Sequence, residues 1–134
     1  MAKITTAQYQ LDHSTDGYEF FITANISQPR LQIGHAVSYL EKLDYGASTA
    51  TICFPGQEEF VFVAPEYRNS GIGTAMIRYT GEVLKEFYDG AISRTLAHAV
   101  TSSQSLPYYQ KVFGAKLIPG TGVNGQLQQI WFEI

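Results

Sequence analysis

The chain has 134 residues and a formal net charge of −3, from 12 acidic and 9 basic side chains. A length in this range predicts a single domain over residues 1–134, with a hydrophobic core of its own. The small negative charge provides no broad basic surface, which argues against nucleic acid as a partner. Cys53 is the single cysteine, so no disulfide forms within the chain.

No stretch of the sequence is typical of a membrane anchor or a leader peptide. The first residues, Met1 to Thr6, lack an apolar run, and no segment reaches the ~18 consecutive apolar residues of a membrane helix. We therefore expect a cytoplasmic protein without a membrane partner. The sequence leaves open whether the chain forms a homodimer.

The first half of the chain is predicted to form strands. Tyr18–Ser27 alternates apolar and polar residues, which is the period of a half-buried strand. Leu31–Glu41 fits a strand and also a helix, and Gly34 within it favours the strand. Pro55-Gly56-Gln57 is typical of a turn and predicts a hairpin between the strands that flank it. The strands expected here are Lys3–Leu11, Tyr18–Ser27, Leu31–Glu41, Ser48–Phe54 and Glu58–Ala64.

The second half predicts two helices and three further strands. From Ile72 to Phe87 apolar residues recur every three or four positions, which predicts an amphipathic helix. Asn69 or Ser70 is its expected N-terminal cap, and Asp89-Gly90 its expected end. The remaining elements are a strand at Arg94–Val100, a helix at Ser103–Phe113 capped by Ser102 or Ser103, and strands at Lys116–Ile118 and Leu127–Ile134.

This order of elements predicts an α+β fold with few helices and a mixed, mostly antiparallel sheet. Strands joined by short turns pair antiparallel, whereas a strand, a helix and a second strand in succession imply a parallel pair. Such a unit is formed by Glu58–Ala64, the first helix and Arg94–Val100.

The junction before the first helix, from Arg68 to Gly73, carries the most information about function. The first N–H groups of a helix have no internal acceptor and lie at the positive end of the helix dipole, so they bind anions. Gly71 and Gly73 allow close approach to the backbone, and Arg68 can add charge-assisted hydrogen bonds. The alternative is an ordinary strand-to-helix turn whose glycines only make it tight.

The spacing Arg-x-x-Gly-x-Gly in this junction resembles the acetyl-CoA pyrophosphate loop of the GNAT superfamily of N-acetyltransferases. A second segment, from Ser102 to Gly114, resembles the family segment Asn-x-x-Ala-x-x-aromatic-Tyr-Glu-Lys-x-Gly-Phe. Tyr109 falls on the tyrosine and Lys111 on the lysine, whereas Ser102 replaces the asparagine and Gly114 comes one residue late. The resemblance covers residues 48–118 well and the first 45 residues poorly.

The resemblance implies a GNAT-like sheet that splays between two parallel strands, here Glu58–Ala64 and Arg94–Val100, with acetyl-CoA in the wedge and no metal. The family's two acceptor-side helices are expected to be reduced or absent, because Asp12–Gly17 is too short for them. An open acceptor side favours a protein or peptide amine. The implied cofactor-binding residues are Val61, Val63, Arg68, Asn69, Ser70, Gly71, Ile72, Gly73, Thr74, Ser102 and Tyr109.

The resemblance also implies two catalytic residues. Glu59 resembles the glutamate that serves as general base in the histone-acetyltransferase branch, and its alternative is a solvated carboxylate. Tyr109 is the implied general acid that protonates the departing thiolate. Its alternative is a core tyrosine, and Tyr108 could take either part. His98 is a candidate second base or acceptor contact, or a residue of the core or its rim.

The other histidines suggest no metal site, because His13, His35 and Cys53 lack the spacing of a ligand cluster. The sequence therefore predicts an N-acetyltransferase that moves an acetyl group from acetyl-CoA to a primary amine of a protein or small molecule, by direct attack in a ternary complex. The alternatives are a non-catalytic acyl-CoA-binding regulatory module and an interaction protein on the same fold.

Overall fold

A computed structural model of the chain describes residues 3–12, 17–27, 30–54, 61–102, 105–122 and 127–134. These residues form eight strands, two α-helices and one short 3-10 turn. The strands are β1 Lys3–Asp12, β2 Gly17–Ser27, β3 Arg30–Asp44, β4 Thr49–Phe54, β5 Val61–Val63, β6 Arg94–Thr101, β7 Lys116–Leu117 and β8 Gln128–Glu133. The helices are α1 Ile72–Phe87 and α2 Leu106–Phe113, and the 3-10 turn is Pro65–Tyr67.

The strands form one mixed sheet in the order β1-β2-β3-β4-β6-β8-β7, with β5 paired to β3. Only β4 and β6 are parallel among the described pairs, and their register runs from Thr49 opposite Arg94 to Phe54 opposite Ala99. Every other described pair is antiparallel. The predicted α+β fold with a single parallel unit is therefore confirmed.

The predicted hairpin between β4 and β5 is wrong. Both strands pair antiparallel with β3, with Cys53 opposite Tyr39 and Val61 opposite Ala36. They follow one another along β3, which has 15 residues and is long enough to hold both. The turn residues Pro55-Gly56-Gln57 lie outside the described residues. A turn signal predicts a boundary between two strands, but it does not predict which strand each of them pairs with.

The parallel neighbour of β6 is consequently β4, so the parallel pair itself does not involve β5, whereas the predicted splay between β5 and β6 agrees with this pairing. β4 runs beside β6, whereas β5 pairs in the described residues with β3 alone. The sheet therefore opens on the side of β5 that faces away from β3. This opening is the wedge of the predicted fold.

The ambiguous segment Leu31–Glu41 is a strand within β3, as the sequence favoured. Gly34 is required there by close packing. A Cβ atom at this position would lie 2.8 Å from the carbonyl oxygen of Phe62 and 3.2 Å from Cε of Met76. The glycine therefore lets β5 and α1 approach β3 closely.

Both helices pack on the same face of the sheet. α1 buries its apolar stripe, including Met76 and Leu84, and Phe87 meets Phe20 of β2 edge to face with 5.9 Å between ring centroids. α2 lies over β8, where Phe113 stacks on Phe132 at 4.7 Å. Neither helix covers the opposite face of the sheet. The expected reduction of the acceptor-side helices is confirmed, since only residues 13–16 separate β1 from β2.

The helix ends agree only partly with the predicted caps. The N-cap of α1 is Gly71, and the Ser70 hydroxyl donates to the carbonyl of Tyr67 instead of capping the helix. The C-terminal prediction holds, because Asp89 and Gly90 adopt left-handed conformations after the last turn. α2 begins after Ser105 without a side-chain cap. Its candidate Ser103 lies outside the described residues.

Neither α-helix is long and apolar enough to cross a membrane, within the part of the chain that the structure describes.

Candidate functional site

The wedge contains two adjoining cavities between β5, the start of α1, and α2. The larger has a volume of about 350 Å³, and the other, of about 270 Å³, reaches the start of α1. Asn69, Gly73 and Tyr108 line both. The other lining residues are Val61, Ile77, Ser105 and Tyr109 in the larger cavity and Val63, Tyr67, Arg68, Gly71, Ile72 and Thr74 in the smaller.

The start of α1 presents free N–H groups to the smaller cavity. The first helical hydrogen bond runs from Ala75 N to Gly71 O at 2.9 Å, and no side chain caps the helix. The amides of Ile72, Gly73 and Thr74 therefore have no helical acceptor. Gly71 has a φ of 83°, and a Cβ atom there would have no neighbour within 4 Å. An anion can thus reach the helix N-terminus without obstruction.

The loop before α1 adopts a backbone conformation that directs its amide groups to one side. Asn69 has a φ of 63°, so two left-handed residues, Asn69 and Gly71, flank Ser70. Asparagine tolerates this conformation better than most residues. Turns of this kind direct successive N–H groups to one side and form concavities that bind anions. The loop therefore extends the anion-binding surface beyond the helix itself.

Arg68 does not point its guanidinium at the helix N-terminus. Its Nε donates to the carbonyl of Val63 at 2.7 Å, and the group lies 5.6 Å from the ring centre of Phe62. Its amide donates within the 3-10 turn to Pro65 O at 3.3 Å. Arg68 therefore holds the loop against β5 in this conformation, and its predicted bonds to a phosphate require the side chain to turn.

The free edge of β5 supplies main-chain groups to the wedge. Ala64 N donates to Ile33 O at 2.8 Å, and Val63 lies opposite Gly34. Because antiparallel strands alternate between bonded and non-bonded pairs, Phe62 and Ala64 bond to β3. The N–H and C=O groups of Val61 and Val63 consequently point into the wedge, where the sequence predicted them to act.

Two tyrosines of α2 face the wedge in different ways. The Tyr108 hydroxyl is 2.5 Å from Thr74 Oγ1 on the first turn of α1. The Tyr109 ring lies 5.6 Å from that of Phe132, and its hydroxyl has no hydrogen-bond partner in the described residues. Burial, and to a lesser degree the neighbouring Tyr108, raises the pKa of Tyr109 to about 12. Tyr109 therefore stays protonated and available as a donor.

Burial also raises the pKa of Tyr108, against the opposing effects of its bond to Thr74 and of the Arg78 charge. Sequence reasoning named Tyr108 only as an alternative to Tyr109. It missed Tyr67, Ile77 and Ser105, which also line the wedge. Ile77 lies one turn after Gly73, so helical spacing from the glycine motif was the signal that could have found it.

Of the remaining predicted residues, Ser102 and His98 lie away from the wedge and Glu59 is not described. Ser102 lines neither cavity, and its hydroxyl accepts from the amide of Ser105 at 3.3 Å. His98 lies on the opposite face of the sheet, bonded to Glu41 and Gln129. Glu59, the predicted base, lies outside the described residues.

The fold is therefore α+β, and its sheet opens at a wedge beside the uncapped N-terminus of α1. The sequence model of the acetyltransferase (GNAT) family matches residues 8–115. This span is well over half of the chain. The chain therefore belongs to the GNAT acetyltransferase family and is an acyltransferase. None of the curated proteins compared with the chain matches it in sequence.

Solved structures with the same fold include an IAA acetyltransferase from Bacillus cereus ATCC 14579, 20% identical over 88% of this chain and 78% of the other, with a TM-score of 0.51. Nourseothricin acetyltransferase is 14% identical over 99% and 86%, with a TM-score of 0.55. The PaiA N-acetyltransferase of Thermoplasma acidophilum, in complex with coenzyme A, is 15% identical over 87% and 61%, also at 0.55. At these identities the likeness concerns the fold.

Proposed function

We propose that the protein transfers an acetyl group from acetyl-CoA to a primary amine. The observation that carries this proposal is the convergence of three features in one wedge. These are the uncapped start of α1, the main-chain groups of β5 that point away from β3, and the Tyr109 hydroxyl, which has no hydrogen-bond partner among the described residues. A thioester linked to a diphosphate needs features of these kinds in a continuous cleft.

The diphosphate of acetyl-CoA would lie on the amides from Asn69 to Thr74, where charge-assisted hydrogen bonds and the helix dipole favour an anion. The pantetheine arm would continue beside β5 and bond to the main chain of Val61 and Val63, as an added strand does. In the described conformation the carbonyl oxygen of Val63 accepts a hydrogen bond from Arg68 Nε. Binding therefore requires Arg68 to release this oxygen, which would free its guanidinium for the phosphates.

The chemistry needs a base for the ammonium, a donor for the thioester oxygen, and a donor for the departing thiolate. We assign the base to Glu59 and the oxyanion donor to a main-chain N–H near Val63. Tyr109 would donate to the thiolate. A phenol with a pKa of about 12 donates a hydrogen bond to the thiolate more readily than it transfers its proton. Stabilisation of the thiolate is thus the main contribution expected of Tyr109.

Direct attack of the amine on the thioester is favoured by the position of the only cysteine. Cys53 lies on the face of the sheet opposite both helices, and burial followed by the Glu41 carboxylate raises its pKa. A protonated thiol outside the wedge is a poor acceptor of an acetyl group. We therefore assign a ternary complex without an acetylated enzyme. The acceptor class, a peptide or protein amine, and the cytoplasmic location remain predictions from the sequence.

The first experiment compares acetyl-CoA binding by the wild type, Gly71→Asp and Gly71→Asn, using thermal unfolding and calorimetry. Asp and Asn have the same shape and both tolerate the left-handed backbone, so they differ mainly in charge. An aspartate would place a carboxylate where the diphosphate is proposed to lie. In the wild type, ligand at 100 times its dissociation constant should add about 2.7 kcal/mol to the free energy of unfolding.

We expect this stabilisation to disappear in Gly71→Asp and to be largely retained in Gly71→Asn. Equal losses in the two variants would mean that the charge at this position is irrelevant to binding. No stabilisation of a folded wild type would remove both the transferase and the acyl-CoA-binding module. Binding without turnover on a panel of amines would favour the module, the second candidate.

A further inference from the structure

The face of the sheet opposite the helices brings together three metal-ligating side chains. Glu41 of β3, Cys53 of β4 and His98 of β6 each place one ligand atom within 4.8 Å of the others. Cys53 and His98 are direct partners in the parallel pair. This is the single group of three such residues in the described part of the chain. It shares no residue with the wedge.

An irregularity in β3 aims Glu41 at the cluster. Leu40 lies opposite Ile52 and Lys42 opposite Thr51, so Glu41 is an extra residue without a partner on β4. A bulge of this kind redirects a side chain, and bulges are frequent beside functional sites. From this position Glu41 Oε1 reaches across β4 and lies 3.1 Å from Nδ1 of His98.

A fourth strand fixes the histidine ring. His98 Nε2 is 3.3 Å from Oε1 of Gln129 on β8. Each ring nitrogen faces an acceptor oxygen, Gln129 Oε1 at Nε2 and the Glu41 carboxylate at Nδ1. A metal ion would replace the hydrogen that Nδ1 shares with Glu41, which passes to solvent, while Nε2 keeps its bond to Gln129. Metal-binding histidines usually donate their other ring nitrogen to an oxygen in this manner, which sets the tautomer and orientation.

We propose that Glu41, Cys53 and His98 bind a divalent transition-metal ion of the zinc type. The ligands would be the Cys53 thiolate, Nδ1 of His98 and a Glu41 oxygen, with water in the fourth position. One thiolate and one carboxylate balance the two charges of the ion. Sulfur and imidazole ligands favour zinc and its neighbours over magnesium or calcium. On binding, the Cys53 thiol forms a sulfur–metal bond and its proton passes to solvent.

The position of the cluster gives the metal a structural consequence. The Cys53–His98 pair lies one step before the last pair of β4 with β6, Phe54 opposite Ala99. A metal here would connect β3, β4 and β6 close to the point where the sheet opens. Because the three ligands converge only in the folded chain, bound metal would raise the unfolding temperature.

The test is a titration of the chelator-treated protein with Co²⁺, followed by displacement with Zn²⁺. Cys53 is the only cysteine, so a thiolate-to-cobalt charge-transfer band reports on it alone. We expect this band at one equivalent, with d–d bands of tetrahedral intensity, and its loss in Cys53→Ser. Gln129→Leu should weaken binding about tenfold by freeing the histidine ring. The matched control is His35→Gln, which changes a histidine of β3 outside the cluster. This variant should bind Co²⁺ as the wild type does.

Glu41→Gln and His98→Gln separate a built site from a lone thiol. If the cluster acts as one site, each should weaken Co²⁺ binding and lower the unfolding temperature of the metal-loaded protein. The proposal is overturned if the wild type shows no thiolate-to-cobalt band. It is equally overturned if these two variants, folded by circular dichroism, bind cobalt as tightly as the wild type. Neither result depends on whether the protein acetylates amines.

Discussion

At the scale of residues, two adjacent tyrosines of α2 receive different roles from their surroundings. Tyr108 bonds to Thr74 and so joins α2 to the first turn of α1. Tyr109 packs its ring against Phe132 and leaves its hydroxyl available to the wedge. The match to the family segment favoured Tyr109 over Tyr108 as the catalytic tyrosine. The contacts of the two rings give a physical reason for this choice.

Replacing Tyr109 by Phe should therefore lower kcat by about a hundredfold, the lower range for a lost hydrogen-bond donor to charge that develops in the transition state. The affinity for acetyl-CoA should change little, because the ring and its packing are preserved. Tyr108→Phe is the matched control, and its main effect should be on stability. Steady-state and single-turnover rates with acetyl-CoA test this expectation. A kcat for Tyr109→Phe within a few-fold of the wild type would assign the donor to another group.

The raised pKa of Tyr109 also predicts how stability depends on pH. Below about pH 10 the phenol is protonated in both the folded and the unfolded chain. Between pH 10 and about 12 the unfolded chain loses this proton while the folded chain retains it, so stability falls as pH rises. The loss attributable to Tyr109 should be about 2–3 kcal/mol, since one pKa unit corresponds to about 1.4 kcal/mol. Denaturant unfolding across this range should show a shallower decline in Tyr109→Phe, and parallel curves would contradict the burial argument.

At the scale of elements, β3 organises the sheet around the wedge. Its 15 residues pair with β2 along one edge and with β4 and β5 in succession along the other. Gly34 sets the distance between this strand, β5 and Met76 of α1. The wedge is thus built on a strand that contributes no residue to its lining.

Gly34→Ala tests this dependence. The added methyl group would lie 2.8 Å from the Phe62 carbonyl oxygen, so β5 has to shift. We expect a loss of about 1–3 kcal/mol in the free energy of unfolding, the usual cost of overpacking. Acetyl-CoA should also bind more weakly, because the displaced strand carries Val61 and Val63. Gly46→Ala, in the exposed turn between β3 and β4, is the control. If Gly34→Ala binds acetyl-CoA as tightly as the wild type, β5 does not contribute to ligand binding.

At the scale of the whole molecule, one sheet separates the two proposed sites. The helices and the wedge occupy one face and the edge of β5, whereas the other face carries Glu41, Cys53 and His98 and is covered by no helix of the described residues. Residues 13–16, which separate β1 from β2, are too few to form the helices expected of the family. A face that no described helix covers is open to a large molecule.

This openness predicts a preference for peptide amines over small amines. A shallow acceptor side offers a small molecule few contacts, whereas a peptide can add main-chain and side-chain contacts along the sheet. We therefore expect higher kcat/KM for lysine-containing peptides than for free alkylamines of the same pKa. Activity on small amines, with none on any peptide of a random library, would contradict it.

The sequence alone determined the class of fold and the position of the glycine junction before α1, because both follow from local information. Hydrophobic period identified α1 and the strands, and Gly71 with Gly73 marked the junction where helix amides are free. Strand pairing was decided only in the folded chain. The turn signal at Pro55-Gly56-Gln57 predicted a hairpin, but β3 proved long enough to pair with both β4 and β5.

The tertiary structure alone brought together Glu41, Cys53 and His98. Sequence reasoning considered His13, His35 and Cys53 as ligands and expected no metal site; it did not group Glu41 or His98 with Cys53. A bulge in β3 and the parallel register of β4 with β6 make them neighbours. The physical reason is general. A helix terminus is defined by consecutive residues, whereas a cluster across a sheet depends on register, which non-local pairing sets.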